Sequence, residues 1–448
     1  MDKNKSTLTG KVKRYANVSS KITGATARLA GNKLIGKNDL NKNADIILNA
    51  LGGLKGPLMK AAQLLSTIPD ALPKEYAEKL QTLQAEAPPM GWFFVKRRMA
   101  SELGKNWLQN FDSFENNAKN AASLGQVHKA RVKGDNVACK LQYPDMASTV
   151  DADLKQLKLI FSLYGTWDKT IKTKDIYDEL SDRLKEELDY KRELKNMLLF
   201  CEILKNQKYI NIPKPITNLS TERLLSMTWL NGESFMKWKD SSPKVKNHLA
   251  LTLFYAWYIP FYRYGIIHGD PHPGNYQVDS SDKNKPKINL LDFGCIRVFP
   301  AKFVKGVIDL YIAMRDNNQK LAIKAYKSWG FNDLSKDLIE VLNVWALYIY
   351  GPLLENKKRK IQDPKALKNG KEVASNVYSE LKKLGGVSPP KEFVLIDRAA
   401  VGLGSVFMHL NAELNWHEII EELIENFDEK ELHIRQKSIL KKFNLEHL

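Results

Sequence analysis

A carboxylate and a carboxamide stand five residues apart in the run His268-Gly269-Asp270-Pro271-His272-Pro273-Gly274-Asn275-Tyr276, and a second carboxylate follows in Leu291-Asp292-Phe293-Gly294. These residue types suit phosphoryl transfer. Asp270 can orient or deprotonate an attacking hydroxyl or water, while the amide oxygen of Asn275 and the carboxylate of Asp292 can hold Mg²⁺ against nucleotide phosphates. The apolar run Ile288-Asn289-Leu290-Leu291 predicts a strand that delivers Asp292, and Gly294 permits the turn after it. A lone Asp-Phe-Gly carries little information. Both motifs in this order and spacing imply a chain that binds ATP with Mg²⁺. Since Asp270 already supplies the base, His268 and His272 are expected to brace the loop.

The upstream half must supply the rest of such a site. Val137-Ala138-Cys139-Lys140-Leu141 has a strand-like pattern and presents Lys140 as a candidate grip on the α/β-phosphates. Ahead of it, Asn120-Ala121-Ala122-Ser123-Leu124-Gly125-Gln126-Val127-His128 occupies the place of a phosphate-cradling loop, with Ala or Ser where glycines are expected. His128 is expected to be a strand histidine with a local hydrogen bond. Lys140 needs an anionic partner, and the stretch Leu180–Asn196 predicts one helix dense in acid: Glu186, Glu187, Asp189 and Glu193. In a continuous helix, Glu186, Asp189 and Glu193 would share a face. A solvated acidic face paired with Lys185, Lys191 and Arg192 is the plainer alternative.

The chain has 448 residues, enough for two or three domains, and 43% of them are hydrophobic, enough for ordinary cores. Its 69 basic and 51 acidic residues give a formal charge of +18, which favours anionic partners such as a lipid surface. No nucleic-acid-binding motif accompanies that charge. Cys139, Cys201 and Cys295 have neither disulfide-framework nor zinc-site spacing. Neither a signal peptide nor a membrane span is expected, which places the chain in the cytoplasm or peripherally on a membrane. Leu249–Ile267 is interrupted by Pro260 and Arg263 and reads as a buried helix; Leu338–Leu354 is similar and carries Glu340. Residues 1–43 form a basic segment, 44–110 a helical extension, 111–230 a smaller lobe mixing strands and helices, and 231–448 a helical lobe holding the chemistry.

Together these motifs resemble those of the UbiB/AarF/ADCK family of atypical, protein-kinase-like proteins, from about Leu51 to about Trp416. The resemblance is carried by Lys60-Ala61-Ala62-Gln63, Leu72-Pro73 and Leu83-Gln84, the Ala-rich loop, Ala138-Cys139-Lys140-Leu141-Gln142-Tyr143-Pro144, Glu187-Leu188-Asp189-Tyr190 with Glu193, and the two motifs above. Arg398-Ala399-Ala400-Val401-Gly402-Leu403-Gly404 and Asn415-Trp416 add to it. It implies an α+β, two-lobed protein-kinase-like fold, predominantly helical, with an α-helical N-terminal extension carrying a K-x-G-Q-like segment. It implies that Lys140 is the ATP lysine and Glu193 its partner, that Asp270 is the catalytic acid, and that Asn275 and Asp292 are the metal ligands. Ala121, Ala122, Ser123, Gly125, Gln126, Val127 and Ala138 would line the nucleotide, with Met227-Thr228-Trp229 as the hinge facing adenine. Lys60 and Gln63 would fold over the site, with Lys60 pairing to Glu187 and Asp189 and gating the acceptor side. The family is linked to ATPase activity, to ubiquinone and other isoprenoid-lipid metabolism and its proteins, and to membrane surfaces.

Three residues depart from the family pattern: Ala62 in place of Gly, Asn120 in place of Ala, and Thr228 in place of an acidic hinge residue. None is a metal ligand or the catalytic acid. Two other classes stay open. A small-molecule phosphotransferase of the aminoglycoside- or choline-kinase type shares the downstream motifs but lacks the Lys60/Gln63 and Glu187/Asp189 elements. An ATP-switched lipid-binding scaffold would tolerate loss of Asp270.

Overall fold

The computed structural model describes residues 90–122, 124–151, 154–155, 158, 173–331, 334–361, 400, 402–404 and 406–446. The basic N-terminal segment, Lys60, Ala62, Gln63, Ser123, Arg398, Ala399 and Val401 lie outside the described residues. The chain divides into two compact units. The first ends at Tyr190 and takes in Asn218–Ser226; the second comprises Lys191–Thr217 and the chain from Met227 onward. The stretch 111–230 is therefore shared, with 191–217 and 227–230 in the second unit.

Among the described residues the first unit starts with α1 (Trp92–Leu103) and continues as β1 (Ser113–Phe114), β2 (Asn120–Ala122), β3 (Gly125–Val132) and β4 (Asp135–Gln142). β5 (Ile210–Asn211) lies in the second unit. The chain then returns as β6 (Leu224–Thr228), which completes a five-stranded sheet of order β1-β3-β4-β6, with β2 paired to β3. β3 and β4 form a hairpin with register Gly125↔Gln142 to Val132↔Asp135. Its two turn residues, Lys133 and Gly134, have φ of 50° and 86°, the left-handed pair that matches strand twist in a two-residue hairpin. β4 lies between β3 and β6, so Val137, Ala138, Cys139 and Leu141 are all buried and Lys140 is half-buried.

The expected single helix over Leu180–Asn196 is instead two, α2 (Thr173–Glu186) and α3 (Tyr190–Ile203). The break is a tight turn in which the N–H groups of Leu188 and Asp189 reach back three residues, to Lys185 and Glu186. The Gln142 amide holds this turn by donating to the Leu188 carbonyl at 2.6 Å. The break removes the shared face computed for Glu186, Asp189 and Glu193.

In the second unit, β7 (Glu233–Ser234) precedes the 22-residue α4 (Pro243–Tyr264). Leu249, Ala250, Leu253, Phe254, Trp257 and Phe261 of α4 are all but inaccessible, as the apolar run predicts. Gly265 ends α4 at φ 65°. A side chain there would also strike Gln436 and the Phe299 carbonyl, so this cap requires glycine. β8 (Ile266–His268), β9 (Tyr276–Asp279), β10 (Lys287–Leu290) and β11 (Ile296–Val298) follow, forming a sheet of order β5-β10-β9-β7 and a β8–β11 pair.

Further helices bounded within the described residues are α5 (Ala301–Arg315), α6 (Gln319–Ser328), α7 (Lys336–Leu354), α8 (Trp416–Ile424) and α9 (Glu429–Lys442); β12 (Arg359–Lys360) pairs with β13 (Glu413–Leu414). Contrary to its reading as a buried helix, α7 buries one face, through Leu338, Leu342, Trp345 and Tyr350, and leaves Val344 and Leu347 half exposed. Among the described residues it is the one helix long and apolar enough to cross a membrane.

Candidate active site

Strand pairing explains why residues distant in sequence converge in the second unit. In the antiparallel β9–β10 pair Tyr276 faces Leu290. Asn275, just before β9, and Asp292, just after β10, therefore emerge at the same end, and Leu291 N–H donates to the Asn275 carbonyl at 3.1 Å. The β8–β11 pair sets His268 opposite Ile296, so Asp270 leaves its strand beside the segment that carries Asp292.

Hydrogen bonds then fix each side chain. The His268 imidazole donates from Nε2 to the Asp292 carbonyl and accepts at Nδ1 from the Asp270 N–H. Both nitrogens are thereby used by one neutral tautomer, which makes His268 a brace. Asp270 Oδ1 accepts from His272 N–H at 3.3 Å, and His272 Nδ1 accepts from Gly274 N–H at 3.0 Å. The Asn275 carboxamide nitrogen donates to the Asp270 carbonyl at 3.2 Å, leaving the carboxamide oxygen as the acceptor end. Gly294 N–H holds Asp292 Oδ1 at 2.9 Å. One carboxylate and one carboxamide oxygen make a hard-donor set, as Mg²⁺ prefers, completed in such sites by phosphate oxygens and water.

A dry aromatic layer backs the loop. Phe293 is inaccessible, with its ring 5.4 Å from Phe200 and 5.8 Å from His268. Burying such a ring contributes about 1.5–3 kcal/mol. Asn196 of α3 donates to the Phe293 carbonyl at 2.9 Å, a contact that sequence reasoning missed. Its one signal is its place three residues after Glu193, one helical turn along the same face. Glu193 itself is buried in the first turn of α3, where the helix dipole favours an acid. Two glycines allow close approach: a side chain at Gly269 would meet Cys295 Sγ, and one at Gly402 would strike the Pro271 ring.

In the first unit, Lys140 lies opposite Val127 on the β3–β4 hairpin, and its ammonium sits 5.1 Å from the centre of the Tyr190 ring. The Ala-rich loop is a second hairpin, pairing Ala121↔Gln126 and Ala122↔Gly125. Gly125 packs where a side chain would run into the Leu141 carbonyl.

Gln126 was expected at the nucleotide, but its side chain is wholly buried. Its amide donates to the Met90 carbonyl at 3.2 Å and lies 2.7 Å from His128 Nε2, while its oxygen accepts from Met90 N–H. These contacts fasten residue 90 to the sheet and occupy the carboxamide. His128 is a strand histidine, as expected; it is buried and bonded through Nδ1 to the Glu115 carbonyl at 2.9 Å. Ala138 is buried in β4. Glu187 lies half-buried and Asp189 exposed in the turn between α2 and α3.

The expected hinge falls at the end of β6, in the second unit. Met227 is buried, and Trp229 Nε1 donates to Asn231 at 3.0 Å. Thr228, the departure at this position, exchanges hydrogen bonds with Lys214: its hydroxyl accepts from Lys214 N–H and its N–H donates to the Lys214 carbonyl, both at 2.9 Å. The variant side chain thus pins the strand end.

A strand-borne lysine in a small sheet unit, and a helical unit whose acid, amide and second acid are braced by a histidine, define a protein-kinase-like protein. The ABC1 atypical kinase-like domain matches residues 82–326, more than half of the 448 residues, and the chain belongs to that family, the UbiB/AarF/ADCK group its motifs resembled. Atypical kinase COQ8, mitochondrial, of Saccharomyces cerevisiae is 30% identical over 280 residues, covering 62% of this chain and 55% of the yeast protein. Atypical kinase coq-8, mitochondrial, of Caenorhabditis elegans is 27% identical over 400 residues, 86% of this chain and 51% of the worm protein. Protein ACTIVITY OF BC1 COMPLEX KINASE 8, chloroplastic, of Arabidopsis thaliana is 31% identical over 294 residues, 64% of this chain and 38% of the plant protein. The chain thus spans about half or less of the length of these relatives. Rv3197 of Mycobacterium tuberculosis, solved with erythromycin, has the same fold at TM-score 0.61 and 24% identity, over 90% of this chain and 99% of that one.

Proposed function

We propose that the protein binds Mg-ATP and moves the γ-phosphate to water or to a small or isoprenoid-lipid acceptor at an anionic membrane surface. The observation that carries this is the braced set of Asp270, Asn275 and Asp292, with His268 tying the acid's loop to the second acid's backbone. Asn275 and Asp292 fit Mg²⁺, which when bound would neutralise charge on the phosphate oxygens. By the family resemblance, Lys140 is assigned to the α/β-phosphate oxygens and Glu193 to the role of its partner. Asp270 holds the attacking hydroxyl or water in line and accepts its proton, a contribution of about 10²–10⁴ in rate. The packed Phe293 layer keeps water from beneath the loop.

The formal charge of +18 supports an anionic surface as the setting. The family resemblance adds quinone-type isoprenoid metabolism as the context of the acceptor. The test is phosphate release from Mg-ATP with and without anionic liposomes, beside Asp270→Asn. Release that liposomes raise and the variant lacks supports the proposal. Release equal in both proteins would sink it.

A further inference from the structure

α4 carries an aromatic ladder, Phe254, Tyr258 and Tyr262, on successive turns, with ring centroids 4.4 Å and then 5.9 Å apart. This ladder walls a cavity of about 440 Å³ within the second unit, closed on other sides by Trp345 and Leu347 of α7 and by Phe407. Small-molecule sites span roughly 300–1,000 Å³ and are mostly apolar with a few placed polar groups.

The polar groups here are distinctive. Neighbouring tyrosine hydroxyls all have partners: Tyr311 donates to Glu421 at 2.8 Å, Tyr326 to Asn343 at 2.9 Å and Tyr350 to the Val307 carbonyl at 3.1 Å. Those of Tyr258 and Tyr262, both in the cavity wall, have no hydrogen-bond partner among the described residues. Burial pushes the Tyr258 phenol up to about 12 and the Tyr262 phenol well above its ordinary value, so both are neutral donors at physiological pH. Neither hydroxyl is sealed from solvent, so a ligand oxygen can take the place of water as their acceptor.

Lys360 adds a cation to the same lining and has no ion pair among the described residues; its neighbour Arg359 is engaged by Glu355 at 3.2 Å. Leu347 is 50% exposed and also lines the cavity, so the opening lies beside an apolar helix. An apolar wall, two hydroxyls and one ammonium without partners among the described residues, and an apolar mouth fit a single chemical class.

We propose that this cavity binds a long-chain carboxylate, with its chain packed on the Phe254–Tyr258–Tyr262 ladder and its head oxygens met by the two tyrosine hydroxyls and the Lys360 ammonium. The cavity's residues are not those assigned to ATP. Binding is therefore read without nucleotide, and the proposal stands or falls apart from the phosphoryl-transfer reading.

The probe is cis-parinaric acid, a fluorescent long-chain carboxylate, titrated into the full chain while its emission is excited through protein tryptophan. Saturable sensitised emission is expected. Tyr258→Phe with Tyr262→Phe should weaken affinity about tenfold by removing two donors. Lys360→Ala, at a half-buried strand position where folding is not at stake, should weaken it several-fold, and Ala400→Phe should fill the space and abolish binding. The corresponding long-chain alcohol should displace the probe poorly. Absence of saturable emission, or a Lys360→Ala protein that binds as tightly as wild type, would overturn the proposal.

Discussion

Replacing Gly402 by alanine places a methyl group against Pro271, the residue that follows the proposed catalytic acid Asp270. The new carbon would lie 3.2 Å from Pro271 Cβ and 3.7 Å from Cδ, and closer still to Cγ, so one partner must move. Overpacking of this kind costs about 1–3 kcal/mol. Gly402 is helical, and alanine there returns about 0.5–1 kcal/mol of helix preference. The net loss of stability is therefore about 0–2.5 kcal/mol, a fall of a few degrees in Tm. Activity should respond differently. If the loop yields, Asp270 moves with Pro271, and a shift of about 1 Å at a reacting group costs about 10²-fold in rate. Phosphate release from Mg-ATP and thermal unfolding, measured on one preparation, should show a rate 10–100-fold lower (roughly, on the same principle) with little loss of Tm. Adding Pro271→Ala removes the obstructing ring and should restore most of the rate, a coupling readable as a double-mutant cycle. Full activity at full stability in Gly402→Ala, or no recovery in the double variant, would refute this mechanical link.

Three further outcomes are expected. His268→Phe keeps a ring against Phe200 and Phe293 but removes the hydrogen bonds that His268 makes to the Asp292 carbonyl and the Asp270 N–H. The urea midpoint should fall by the equivalent of about 2 kcal/mol at unchanged m; an unchanged midpoint would remove His268 as a brace. Burial holds the His128 pKa below 6.5, so as pH falls the unfolded chain takes up a proton first. Its contribution is full above about 6.5 and is lost as pH drops toward the lower folded value. Wild type should then lose more Tm than His128→Phe between about pH 7.5 and about pH 5.5, and equal losses would contradict the assignment. Burial also pushes the thiols of Cys139 and Cys201 up to about 12 and about 11. Alkylation of the folded protein near neutral pH should spare both, and rapid labelling of Cys139 would show that β4 is less enclosed than its packing indicates.

The residues proposed for the chemistry were legible as a set because phosphoryl transfer tolerates few substitutes. Asp270, Asn275 and Asp292 announce themselves by type and spacing, and the strand before Asp292 by its apolar run. The helix broken at Glu187–Asp189 was not legible, because the turn is held by Gln142, a residue more than forty positions away whose amide reaches Leu188. The orientation of the Gln126 side chain was hidden for a related reason. Its place in the loop motif says nothing of whether its carboxamide faces a ligand or, as here, fastens the backbone of Met90. Asn196 was passed over because an asparagine one turn beyond an acid is an ordinary surface pattern until the helix is seen against Phe293. The cavity was equally hidden. Phe254, Tyr258 and Tyr262 read as core, and only the fold shows that nothing in the described chain meets two of their hydroxyls.

Asp270 is proposed to drive phosphate transfer from a nucleotide held by Asn275 and Asp292. The most direct measurement compares wild type with Asp270→Asn in two assays on the same samples, Mg-ATP affinity and single-turnover γ-phosphate release. The asparagine oxygen can still accept from His272 N–H, so affinity should stay within about threefold while release falls by about 10²–10⁴. Release at the wild-type rate in the variant would contradict the account.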